Sequence, residues 1–116
     1  MEPDKQSTVT VEESMLRVTF QDLRIVDEDK IYKIGSELVN ALEVAQRTNV
    51  ALVLDFSHVK SASMPMYGKL VLLRKAAIEA NVKIILSSVS EVMYKVLAAT
   101  RLGTIFEIVR RDETNE

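Results

Sequence analysis

The apolar residues of this chain change period several times, and each change marks an element. Over residues 8–11 and 15–20 they alternate, so that Leu16, Val18 and Phe20 share one face. Period two predicts strands, joined as a hairpin across Glu12, Glu13 and Ser14. Asp27, Glu28 and Asp29 come next, and Ile31, Ile34, Leu38, Val39 and Leu42 follow at spacings of three and four. That spacing predicts an amphipathic helix over residues 29–46, with acids at its positive end. The three carboxylates read as a helix start rather than a metal site. Residues 49–56 (NVALVLDF) form a nearly unbroken apolar run with β-branched members. Its length suits a strand buried on both faces, as in parallel sheets.

A loop is expected over residues 57–62. Ser63 then precedes Met64 and Pro65, a good N-cap followed by a proline that the first helical turn tolerates. This helix is expected to reach Ala80, with Leu70, Leu73, Ala77 and Ile78 as its apolar stripe and Asn81 as its stop. Residues 82–86 read as a second buried strand. Ser88-Val89-Ser90-Glu91 has the form of a capping box and opens a third helix through Val92, Met93, Val96, Leu97 and Thr100. Gly103 is placed to end that helix, or the turn after it, in a left-handed conformation. Residues 105–109 are a last strand, either directly or after one helical turn. The order β-β-α-β-α-β-α-β places the chain in the α/β class. The expected fold is a mixed sheet, parallel in its centre, with right-handed crossovers and helices packed on it. Residues 1–7 and 110–116 are polar and are expected to be flexible ends around one domain, 8–109.

Composition narrows the chemistry. With 116 residues, 47% of them hydrophobic, the chain suits one domain whose core needs no staples. It has no Cys, which excludes disulfides, thiolate metal sites and Cys nucleophiles. The sole His, His58, argues against a His metal cluster or a Ser–His–Asp triad. Gly35, Gly68 and Gly103 are too far apart for a phosphate-binding loop. A net charge of −2 sets up no field for nucleic acid or an anionic membrane. The longest charge-free stretch, residues 61–68, is far below the about 20 apolar residues of a spanning helix. Residues 1–15 lack the basic and apolar regions of a signal peptide. A cytoplasmic, non-enzymatic protein with no cofactor and no metal is the expectation.

In open α/β sheets, ligands and partners meet the carboxyl ends of the strands. The segment from Asp55 to Gly68 lies on that edge. It holds Asp55, the serines Ser57, Ser61 and Ser63, His58 and a Met-rich helix start. Asp55 is expected to accept loop N–H bonds and hold the turn, and His58 reads as an exposed loop residue. Met64, Met66 and Tyr67 are consecutive or nearly so, and a first helical turn cannot point all of them inward. Flexible Met side chains suit adaptable protein-binding surfaces. Lys60 and Lys69 are candidates to dock an acidic partner.

These residues carry a resemblance. Val53-Leu54-Asp55-Phe56-Ser57-His58-Val59 resembles the "V-L-D-L-S-G-V" strand and loop of STAS domains. Those domains occur in bacterial anti-sigma-factor antagonists and in the cytosolic tails of sulfate transporters. The resemblance continues through Tyr67-Gly68-Lys69-Leu70 and Val82-Lys83-Ile84-Ile85-Leu86. It resumes at Ser90-Glu91-Val92 and Val96-Leu97 and closes on the segment from Thr100 to Ile108, similar to the family's "T-G-L-x-x-x-F-x-I" ending. It covers residues 15–109. It implies a partner-switching signalling protein. Family antagonists bind an anti-sigma factor, often a Ser/Thr kinase, and phosphorylation of one helix-start serine breaks that complex.

The chain departs from the family at that serine. Anchored on Gly68, Ser63-Met64-Pro65-Met66-Tyr67-Gly68 stands where the family has "D-S-S-G-L-G", whose second Ser is modified. Pro65 occupies that position and has no hydroxyl. Ser63 is the nearest substitute acceptor, with Ser61 and Ser57 further off; alternatively Ser63 only caps the helix. The resemblance therefore implies a partner surface over Lys60, Ser63, Met64, Pro65, Met66, Tyr67 and Lys69, with phosphoregulation altered or lost. A scaffold that assembles with other STAS proteins, or docks on a transporter, is the alternative. Asp55 and Gly68 are expected to be structural residues of the turn.

Overall fold

The computed structural model describes residues 6–111. Their elements are β1 (Ser7–Val11), β2 (Met15–Phe20), β3 (Arg24–Ile25), α1 (Glu28–Thr48), β4 (Ala51–Asp55), β5 (Ser61–Ala62), α2 (Met64–Ala80), β6 (Ile84–Val89), α3 (Glu91–Ala99), a 3-10 turn (Leu102–Thr104) and β7 (Glu107–Arg110). The main sheet runs β1-β2-β4-β6-β7. β1 and β2 pair antiparallel and every later pair is parallel.

This strand order never reverses. Each β-α-β unit steps the same way along the sheet, so right-handed crossovers put all three helices on one face. The register shows which side chains meet them. Leu16, Leu52 and Ile84 form one row, and Val18, Leu54 and Leu86 the next. All six are buried, while Met15, Arg17, Thr19, Ile85 and Ser87 of the opposite face are partly exposed. The expected burial of residues 49–56 on both faces holds at the centre of β4: Val53, in register with Arg17 and Ile85, is buried like Leu52 and Leu54, although no crossover places a helix over it.

The helices begin and end on local chemistry. Asp27 caps α1, its Oδ1 accepting the Lys30 N–H at 3.1 Å. Both long helices stop on an asparagine in the left-handed region, Asn49 at φ 58° and Asn81 at φ 63°. Asparagine tolerates that region better than most residues, and each cap N–H returns to the last helical carbonyls. α1 buries Ile31, Ile34, Leu38, Ala41, Leu42 and Ala45. Val39 and Ile78, expected in the apolar stripes, are exposed, because each helix turns only one side to the sheet.

Two caps lie elsewhere than the sequence pattern implies. Ser90, not Ser88, caps α3: its Oγ accepts the Met93 N–H at 3.2 Å. β6 stays paired with β7 as far as Val89, so no helix can start at Ser88. Ser88 instead takes φ 58° at an irregularity in that ladder. Gly103 is not left-handed; Arg101 makes the reversal, at φ 66°. α3 ends at Ala99, so the chain has turned before it reaches Gly103.

The ends also differ in detail. Ser7 is buried and opens β1, with its hydroxyl donating to Glu37 of α1. Arg110 belongs to β7, and Arg111 is tied to the protein interior, as described below. The remainder of both expected tails, 1–5 and 112–116, lies outside the described residues.

Candidate functional site

The carboxyl end of β4 and the start of α2 form one tightly held turn. Asp55 ends the strand and works in two directions. Its Oδ1 accepts the Ser57 N–H at 2.8 Å, and its Oδ2 receives Arg17 Nη1 at 3.2 Å. Arg17 also donates to Glu12 at 2.8 Å. That bond, together with the nearby Asp55 charge, raises the guanidinium pKa against the opposing effect of burial. The ion pairs tie the β1–β2 connection to the end of β4.

Beyond Asp55, Phe56 turns into the core and stacks on Phe20 with ring centroids 4.8 Å apart. The Val59 N–H returns to the Phe56 carbonyl at 2.9 Å, closing a tight turn with Ser57 and His58 exposed at its tip. Three groups distant in sequence hold this turn. Arg111 Nη2 donates to the carbonyls of Phe56 at 2.6 Å and Val59 at 2.9 Å. Ser90 Oγ donates to the Lys60 carbonyl at 2.7 Å. The segment expected to be a loop forms β5, which pairs in parallel with β3. The Lys60 N–H reaches the Leu23 carbonyl and the Ser63 N–H reaches that of Ile25.

The first turn of α2 divides its side chains between core and solvent. Met64 is 57% exposed and Pro65 is exposed, while Met66 and Tyr67 are buried. Met66 and Tyr67, expected at the partner surface, are thus core residues. They lie on the side of the helix that faces the sheet. Gly68 is exposed and Lys69 partly so. Ser63 stands at the N-cap position, but its side chain makes no capping bond. Its Oγ is buried and has no hydrogen-bond partner among the described residues. The sequence reading missed Leu23 and Val26, which the β3–β5 bonds bring beside residues 60–63 and which are both largely exposed. They sit in QDLRIVD, where two-residue strands leave too short a period to read.

A candidate anti-sigma factor antagonist from Thermotoga maritima superposes with a TM-score of 0.75 at 16% identity, covering 99% of this chain and 93% of that one. An anti-sigma-factor antagonist (STAS) domain protein from Planctomyces limnophilus gives 0.77 at 21% identity, covering 94% and 92%. The chain has the fold of a STAS domain. The anti-sigma factor antagonist SpoIIAA in its unphosphorylated form gives 0.65 at 14% identity, covering 94% and 92%. No protein-family model and no curated protein sequence matches the chain.

Within this STAS fold the described residues form no group of three or more His, Asp or Glu that could hold a metal. Among them, no helix is long and apolar enough to cross a membrane. At the α2 edge Met64 and Pro65 are exposed, Leu23 and Val26 are exposed on the paired β3 segment, and Lys60 is exposed on a turn stapled from three sides.

Tyr67 leads to a direct test. Its hydroxyl is buried without a hydrogen-bond partner among the described residues. An unmet buried hydroxyl costs stability, so Tyr67→Phe should raise the unfolding free energy by about 1 kcal/mol. Burial also pushes the phenol pKa above its ordinary value of 10.0. The unfolded chain then loses this proton before the folded one does. Ionisation of Tyr67 therefore leaves stability untouched below pH 10.0 and lowers it as pH rises past that value. Urea unfolding at neutral and alkaline pH checks both points: Tyr67→Phe should be more stable and should lose less stability on the alkaline side.

Proposed function

We propose that this chain is a signalling protein that binds an anti-sigma factor or a Ser/Thr kinase-type regulator through the start of α2. We propose further that its binding surface is constitutive, with no serine switch. It acts as a binder rather than a catalyst, in the cytoplasm. The observation that supports this best is the division of hydroxyls and apolar groups at the helix start. Pro65 faces outward with no hydroxyl, next to the exposed Met64, while the Ser63 hydroxyl is buried. A kinase could not reach Ser63 without opening the turn. Ser57 is exposed but sits at the far end of the turn, held by Asp55.

The chemistry of the surface fits protein recognition. Met64, Leu23 and Val26 offer deformable apolar area. The α2 start has no acid in its first turn to offset its positive dipole end, and Lys60 adds a charge of the same sign. Together these favour a partner with an apolar patch bordered by carboxylates.

Calorimetric titration of the purified chain with a kinase-type anti-sigma factor from the same organism tests the reading. A complex should form and persist when ATP and Mg²⁺ are added. Met64→Asp should weaken it at least about tenfold, since it places a charge in a desolvated contact, and should leave the unfolding midpoint unchanged. Absence of binding would overturn the reading. ATP-driven release with phosphate on Ser57, Ser61 or Ser63 would overturn its constitutive part.

A further inference from the structure

A second feature lies away from the α2 start. α1 and α2 pack side by side, and their outer surfaces enclose a groove of about 400 Å³. Leu38 and Leu73, both buried, close its bottom. Small residues from each helix, Gly35 and Ala76, keep it open. Beside the polar Ser36 and Asn40, its rim carries large apolar groups where solvent would favour polar ones: Tyr32 is 70% exposed, Leu72 64% and Val39 52%. A surface helix normally places such residues inward. Here they border a trough that runs from Tyr32 to Asn40 along α1, about 12 Å at the helical rise.

One charged side chain lines this groove, Lys69. It makes no ion pair among the described residues, and its Nζ lies 5.7 Å from the centre of the Tyr32 ring. The lysine stem lies close over Gly35, where an added Cβ would come within 3.3 Å of Cδ. The missing Gly35 side chain lets Lys69 lie along the groove. No carboxylate lines the groove to answer that charge.

An apolar trough with one cation that meets an aromatic ring but no carboxylate has a definite complement. We propose that the α1–α2 groove binds a free aliphatic carboxylate, its tail on Leu38, Val39, Leu72 and Leu73 and its head on Lys69. The volume is that of a small-ligand site. A partner helix, about 10–12 Å across with its side chains, is too thick to enter it. The proposal goes beyond partner binding at the α2 start and is tested on the chain alone.

The experiment is a titration of the isotope-labelled chain with decanoate below its micelle concentration, followed by amide chemical shifts. Decyltrimethylammonium and phosphatidylglycerol vesicles are run in parallel. Decanoate should shift the amides of residues 32–40 and 69–76, and bind at least tenfold more tightly than the ammonium compound. Lys69→Glu should weaken decanoate at least tenfold and reverse that preference. Leu72→Glu, at a largely exposed position, should weaken decanoate with no change in unfolding midpoint. The proposal is overturned if decanoate leaves those amides unmoved, or if the wild type takes both head groups equally. It is also overturned if Lys69→Glu binds decanoate as before, or if the chain binds the vesicles but not decanoate. Sedimentation showing that decanoate only splits a dimer closed over the groove would overturn it as well.

Discussion

Phe56→Ala should lower the unfolding free energy by about 3–5 kcal/mol, the range for removing a fully buried aromatic ring. Phe56 is wholly buried and stacked on Phe20. The same residue anchors the turn through its backbone, since its N–H donates to Ser87 and its carbonyl receives both Val59 and Arg111. Loss of the ring therefore opens a cavity beneath the segment that leads to α2. Against a total stability of about 5–15 kcal/mol for a typical domain, this is a large fraction. Phe56→Leu keeps most of the volume and should cost only about 1.5 kcal/mol. Urea denaturation of the three proteins measures the series. Equal costs for Ala and Leu would mean that ring packing is not what holds this end of the sheet.

On the proposed reading of the α2 start as a permanent binding surface, Pro65→Ser should make that surface switchable. Pro65 is exposed in the first turn of α2, so serine there places a hydroxyl in solvent. Replacing proline should cost only about 0.5–1 kcal/mol, through the greater freedom of the unfolded chain. Incubated with ATP and a kinase-type anti-sigma factor, the wild type should take up no phosphate. Pro65→Ser should take up one phosphate per chain. The phosphate would bring about −1.5 to −2 charges onto the proposed binding surface, beside the exposed Met64. Partner affinity should then fall roughly thirtyfold, the loss of one strong contact of about 2 kcal/mol. Mass spectrometry locates the phosphate, and calorimetry measures the affinity before and after. Phosphate on a native serine of the wild type would show that the surface is already regulated.

Much of the fold was legible because it rests on local patterns. The alternation of Leu16, Val18 and Phe20 and the three-four spacing of Ile31, Ile34, Leu38 and Leu42 each imply an element, and those residues are buried in it. Where a local signal failed, neighbours in space had overridden it. The capping-box spacing points to Ser88, yet pairing of β6 with β7 through Val89 moves the cap to Ser90. Val39 and Ile78 fit the apolar stripes equally well by spacing, yet neither faces the sheet.

The candidate site was legible in place but not in detail. The run from Asp55 to Gly68 could be put at the carboxyl edge of the sheet from element order alone. Met64, Pro65, Met66 and Tyr67 could not be sorted into surface and core, because four adjacent residues carry no period. Leu23 and Val26 were invisible, since β3 exists only as the partner of β5.

By itself the sequence determined the α/β class, the order of the three helices and the five strands of the main sheet, the absence of Cys chemistry and the lack of a hydroxyl at Pro65. These follow from residue identity and from periods that a strand or helix imposes on its own few turns. Tertiary structure alone decided that the Ser63 hydroxyl is covered, that Met64 faces solvent, and that Lys69 borders an apolar groove. Those outcomes depend on contacts such as Arg111 with Phe56, 55 positions apart. No local pattern encodes such a contact, because the folded chain alone brings the two groups together.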